Sequence, residues 1–270
     1  MNAFVQHFLF EFRTGIRNKQ LLLMNYLFPL GFYVLIGIIM PKINPLFLEN
    51  LIPALVVFSI LSATLLGIPD PLVNGRENGI YRSYKINGIP ATTILLIPVL
   101  TTLLHLFIVA AIITVTAPVF FDAPLPTNWW RFILVIFVMA IACAGISVLI
   151  GVVSPNSRMT VLWSQIIFVP CMLLGGIMIP YNMLPGIAGK IAHLLPATHA
   201  MNSFKGLAMG GTADFSAWGS MVVLVAGGLI AFGLALFLFS WDSRNTKRRG
   251  TVWLAFLFLL PNILGILFLL

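Results

Sequence analysis

Charged residues are scarce in this chain, so the place where they gather is informative. Only 8% of its 270 residues are Asp, Glu, Lys or Arg. Five of them fall between 70 and 90: Asp70, Arg76, Glu77, Arg82 and Lys85. Asn74-Gly75, Asn78-Gly79, and Asn87-Gly88 followed by Pro90 are turn signals. Between them, Ile80 to Ile86 has room for about two turns of helix. On such a helix Tyr81 and Lys85 share a face. A short, charged, aromatic helix suits docking to a soluble partner. The alternative is a solvated loop whose Arg and Lys only fix membrane orientation. Glu77 separates the two, because an orientation signal needs no acid. It is expected to pair with Arg76, Arg82 or a basic residue of the first segment.

Other reactive side chains form no catalytic constellation. Neither His-Glu-x-x-His nor Gly-x-Ser-x-Gly occurs. Gly186, Gly189 and Lys190 have the wrong spacing for the phosphate-binding Gly-x-x-x-x-Gly-Lys-Ser/Thr loop, which is missing from these residues. No catalytic or metal site is therefore expected. His193 and His199 stand six apart with Pro196 between them, a spacing that does not place both on one helix face. His105 lies within an apolar run. It is either a functional intramembrane group or a neutral histidine bonded to a neighbouring helix. Cys143 and Cys171 also lie in apolar runs, which argues against a disulfide framework.

Polar positions that could line a path are few: Asn25, then Ser59, Ser62 and Thr64, then Ser164 and Gln165, with Ser154 and Asn156 at a span end. Phe58, Trp163, Phe168 and Met172 flank them. They either face a pathway or make helix–helix hydrogen bonds, worth about 0.6–2 kcal/mol each. So apolar a pathway suits an amphipathic or hydrophobic cargo rather than a free ion or sugar.

The elements that must hold these residues are membrane helices. Hydrophobic residues make up 60% of the chain, and a soluble domain carries roughly 25% charged residues. Spanning helices of about 20 apolar residues are expected at 21–40, 51–69, 93–117, 131–153, 160–180 and 218–240, with a seventh candidate at 251–270. Of the 15 basic residues, 11 fall in the segments 1–20, 70–90, 154–159 and 241–250, and 4 in or beside 41–50, 118–131 and 181–217. This bias puts the N-terminus in the cytoplasm. The net charge of +8 then meets anionic lipid head groups rather than nucleic acid. Residues 1–20, with Glu11, Arg13, Arg17 and Lys19, lack the pattern of a cleavable leader. Phe4, Phe8, Phe12 and Ile16, with Val5 and Leu9 beside them, make one apolar stripe, so an amphipathic interfacial helix is expected there. The outer segment 181–217 is too apolar for a solvated loop. Pro185, Gly186 and Pro196 break it, which predicts two short re-entrant helices over 181–200 that cap the bundle.

Three stretches in this order resemble the permeases of ABC type-2 transporters. Arg76-Glu77-Asn78-Gly79-Ile80-Tyr81-Arg82-Ser83-Tyr84 is similar to that family's second cytoplasmic motif, a Glu-x-Gly followed by a short coupling helix. Leu174 to Pro180, Met183-Leu184-Pro185 and Leu195 to Ala200 resemble its ending, and the amphipathic N-terminal segment matches as well. The resemblance covers about 1–249 and implies an all-α polytopic domain of six core spans. It implies a dimer of two permease copies in the cell membrane, docked to separate ABC ATPase subunits that carry ATP and Mg. It assigns Arg76, Glu77, Asn78, Gly79, Tyr81, Arg82, Tyr84 and Lys85 to ATPase coupling. It assigns Ser59, Ser62, Thr64, Ser164, Gln165 and Phe168 to the translocation path, because the second and fifth spans line the cavity in that family. Export is the expected direction. The apolar segment 250–270 departs from the family's usual six spans and is expected to cross the membrane or lie in its plane. The rival from another class, an ion-coupled carrier or channel, needs charged residues within the spans. Here they stand only at span ends, such as Asp70 and Arg131.

Overall fold

The computed structural model describes residues 6, 8, 9, 12, 13, 17–242 and 250–269, apart from the side chains of Leu46, Phe268 and Leu269. Among the described residues every regular element is helical, and six helices are long and apolar enough to cross a membrane. Span 1 is Lys19–Ile43, span 2 Phe47–Glu77, span 3 Ala91–Phe121, span 4 Trp129–Val153, span 5 Ser157–Leu174 and span 6 Ala217–Leu238. All six coincide with expected spans. Their starts are set by local chemistry. Asn18, Asn128, Asn156 and Ser216 each accept a backbone N–H of the first turn, opening spans 1, 4, 5 and 6. Such caps satisfy donors that an apolar solvent cannot.

Span 2 is the central pillar. Every residue from Leu51 to Leu61 is buried, whereas most of span 5 faces outward. Phe58 of span 2 stacks on Phe32 of span 1 at 3.9 Å between ring centroids and lies 5.9 Å from Phe168 of span 5. Spans 4 and 6 pack backbone to backbone. A Cβ on Gly145 would fall 2.5 Å from the Gly228 carbonyl oxygen, and one on Gly228 would fall 2.6 Å from Ala142 Cα. Small residues permit this approach, which maximises dispersion contacts where water gives no driving force.

Two short helices lie in the segment expected to cap the bundle. After a short turn at Tyr181–Met183, helix Gly186–Ala192 starts directly after Pro185, and helix Pro196–Ser203 has Pro196 in its first turn. Each residue of the second helix is buried. Of the N-terminal stripe, the ring of Phe12 stacks on His105 at 4.7 Å, and Arg13 and Arg17 are exposed. Phe4, Val5 and Ile16 lie outside the described residues.

The C-terminal segment folds as a 3-10 helix, Val252–Leu259, followed by an α-helix, Leu260–Leu269. Pro261 falls in the first turn of that α-helix, where it is tolerated. Gly250 lies against Phe237 and Leu238, and Gly227 faces Phe258 and Asn262, so the segment runs antiparallel to span 6. Eight residues at about 2.0 Å and ten at about 1.5 Å per residue cover roughly 31 Å. The tighter 3-10 winding lets 18 residues run the length of a bilayer's hydrocarbon core.

Candidate coupling site and translocation face

The segment 70–90 differs from the expected loop in its first half. After a short break at Gly67-Ile68, span 2 resumes as helix Pro69–Glu77, and the chain turns again only after Glu77. Gly79 sits at φ +72°, a left-handed conformation that favours glycine. It reverses the chain into helix Ile80–Ile86, the two turns read from the sequence.

This segment ties together the ends of four spans on one side of the bundle. Arg76 is buried and donates from Nη1 to the Val152 carbonyl at 2.7 Å and from Nη2 to the Ser154 carbonyl. Those carbonyls belong to the last turn of span 4, whose acceptors have no intrahelical partner. A cation at a helix C-terminus also complements its dipole. Ser157 Oγ, at the start of span 5, donates to Asn74 Oδ1 at 3.0 Å. Asp70 accepts from Asn74 at 2.9 Å and more weakly from Gln20 of span 1 at 3.4 Å. Arg82 Nε donates to Asp242 at 2.8 Å, just past span 6, and the Tyr81 ring lies 5.7 Å from that of Phe239.

Several expected roles change. Glu77 is exposed and makes no ion pair among the described residues. Arg82 pairs instead with Asp242, which lies 160 residues away and carries no local signal. Arg76 and Tyr81 are buried within the single chain. Tyr81 and Lys85 therefore share no working face. Tyr84 is half-buried, and Asn78, Arg82 and Lys85 are exposed. The exposed face also holds Ile80 and Ile86, the latter 85% exposed. Which side of this helix is bare is decided by Tyr81 packing against Phe239, a contact distant in sequence.

The expected path residues are mostly closed. Ser59 Oγ donates to Val56 O and Thr64 Oγ1 to Ile60 O within their own helix, while Ser62 Oγ donates to Met24 O of span 1 at 2.9 Å. Those three, with Ser164 and Phe168, are buried within the single chain. The Ser59, Ser62 and Thr64 hydroxyls are thus paired with backbone carbonyls of the helices. Gln165 alone of the six is exposed, on a span 5 face with Val161, Leu162, Ile166, Val169 and Leu173.

His105 hydrogen-bonds through Nδ1 to Tyr26 Oη at 2.7 Å, joining spans 1 and 3. In the outer cap the His193 and His199 rings come within 5.7 Å of each other, closer than their spacing implied. His199 Nε2 donates to the His193 carbonyl at 2.9 Å, and His193 Nε2 meets Tyr181 Oη at 2.8 Å. Burial lowers both histidines' pKa, that of His199 to about 4. Among the described residues no three His, Cys, Asp or Glu gather as metal ligands.

An all-helical bundle of apolar spans, with charged ends tied together on one side, defines a multi-pass membrane protein. The chain belongs to the ABC-2 type transporter family, whose model matches residues 3–209. It is similar to YvfS of Bacillus subtilis (strain 168), a candidate transport permease by its name. The two are 20% identical over 230 residues, covering 84% of this chain and 92% of that protein. No solved structure matches the chain.

Proposed function

We propose that this chain is the membrane half of an ATP-driven exporter in the plasma membrane, with its N-terminus in the cytoplasm. Two copies face each other and each docks one ABC ATPase, which binds the ATP and Mg. The docking face is the outer side of helix Ile80–Ile86, with Ile80, Arg82, Lys85 and Ile86. One observation carries this reading. The same short segment is bonded to span 4 through Arg76, span 5 through Asn74 and the end of span 6 through Arg82. A push on the helix therefore reaches three span ends at once.

Cargo moves between the two copies along the exposed face of span 5. Gln165 is a lone polar group on that face, and a polar group at membrane depth needs a partner. The remaining apolar side chains suit an amphipathic or hydrophobic cargo. The test is co-purification from native membranes, read as ATP hydrolysis in the complex and as cargo-dependent stimulation of it. Ile86→Asp is expected to lose the ATPase while inserting normally. Retention of a fully active ATPase by that variant would contradict the docking face.

A further inference from the structure

Spans 4 and 5, the outer cap and the C-terminal segment border a groove of about 220 Å³ that the coupling role does not use. Every lining side chain is apolar or aromatic, among them Val153, Trp163, Ile167, Ala255 and Leu259. The rim is open, since Ile166 and Phe256 are 60% and 44% exposed. Along span 4 the groove runs from Ile146 to Val153, about 10 Å at 1.5 Å per residue. Val153 ends that span beside the Val152 carbonyl held by Arg76, so one end of the groove lies near the level of the coupling segment. Pro196 of the cap closes the other end. Two further features follow in order along span 5. The Trp163 indole N–H makes no hydrogen bond among the described residues, yet it is not one of the sealed unpaired atoms and so retains accessible surface. Arg158, in the first turn of the span, is exposed and makes no ion pair among the described residues. It stands five residues, or about 7.5 Å along the axis, from Trp163.

We propose that this groove holds an acyl chain of an anionic phospholipid from the leaflet on the coupling side. A groove so apolar gives water too few partners and stays dry. It opens between two membrane spans, where the surrounding medium is hydrocarbon. The kind of occupant follows from the series of groups. Span 5 and its neighbours offer an apolar groove, then a hydrogen-bond donor, then a cation nearest the span end. A phospholipid presents the matching series of hydrocarbon chain, ester carbonyl and phosphate. The indole N–H is a donor only, so it suits the ester carbonyl. A cation at headgroup level attracts anionic lipid. The C-terminal segment itself touches span 5 through the edge-on contact of Phe256 with Trp163, 6.2 Å between ring centroids. The bound chain fills the gap left beside that contact and holds the segment against the bundle.

The test uses the purified full-length protein alone, so its outcome is independent of the ATPase reading. Native mass spectrometry compares binding of dioleoyl phosphatidylglycerol with that of dioleoyl phosphatidylcholine, which has the same chains and esters and no net charge. The anionic lipid is expected to bind about fivefold tighter, the ratio set by one cation at headgroup level. Arg158→Gln is expected to erase that preference. Trp163→Phe is expected to weaken both lipids alike, by about two- to tenfold for one lost hydrogen bond. Ala255→Phe fills the groove and is expected to lose the bound lipid. A further readout needs no variant: phosphatidylglycerol with a photoactivatable diazirine in its chain is expected to label residues 163–167 or 252–259. Equal binding of the two lipids, lipid that stays bound to Ala255→Phe, or labelling confined to other spans would each overturn the assignment. So would loss of a dimer rather than of lipid in Ala255→Phe, which would give the groove to a second copy of the chain.

Discussion

Replacing Arg76 by Met keeps length and packing while removing the guanidinium that closes span 4. Two carbonyls, those of Val152 and Ser154, then lose a charged donor at a buried site. Each orphaned acceptor costs about 1–3 kcal/mol. Part of this is offset, because the variant no longer has to bury a charge. The balance is a loss of about 2–4 kcal/mol, or roughly 30- to 700-fold in the unfolding constant at 1.4 kcal/mol per decade. Arg76→Lys keeps the charge but not the planar fork that reaches two acceptors, so it falls between. The assay is unfolding of the purified protein in mixed micelles, with membrane insertion matched beforehand. Arg76→Met within about 0.5 kcal/mol of the parent, the range of an inert surface change, would refute the clamp.

Three other outcomes follow from the geometry. Arg82 and Asp242 are half and one-quarter exposed, so breaking their pair costs only about 0.2–1 kcal/mol, yet either single charge loss lowers the transport obtained per ATP hydrolysed, and the swap Arg82→Asp/Asp242→Arg restores it. His199 titrates near 4 in the fold against an ordinary 6.5; the unfolded chain binds the proton first, so the cap's stability is full above pH 6.5 and falls as pH drops toward 4, by about 3 kcal/mol at 1.36 per unit. His199→Gln flattens that acid limb in a pH series of melting curves. Gly228→Leu forces spans 4 and 6 apart and costs about 1–3 kcal/mol or more, whereas Gly233→Leu on the same helix meets open space and leaves the melting point unchanged.

The spans were legible because a bilayer demands long apolar runs, and this chain has few charges to blur them. Helix Ile80–Ile86 was legible from its flanking Asn-Gly pairs, and the cap from Pro185 and Pro196. What stayed hidden depends on partners distant in sequence. A two-turn helix does not reveal which side faces inward, so Tyr81 and Arg76 read as surface until Phe239 and the end of span 4 came beside them. Serine and threonine in a span read alike whether they line a path or bond their own helix, as Ser59 and Thr64 do. The winding of the C-terminal segment was hidden as well, because a 3-10 stretch such as Val252–Leu259 covers distance in fewer residues than an α-helix needs.

The central claim is that helix Ile80–Ile86 carries the contact with a cytoplasmic ATPase. Single-cysteine cross-linking tests it most directly, since Cys143 and Cys171 are fully buried. Ile86→Cys, in membranes holding the assembled transporter, is predicted to cross-link to the ATPase subunit, while Asn182→Cys at the outer cap does not. No cross-link from position 86, or labelling of that cysteine by an impermeant maleimide added outside intact cells, would contradict the account.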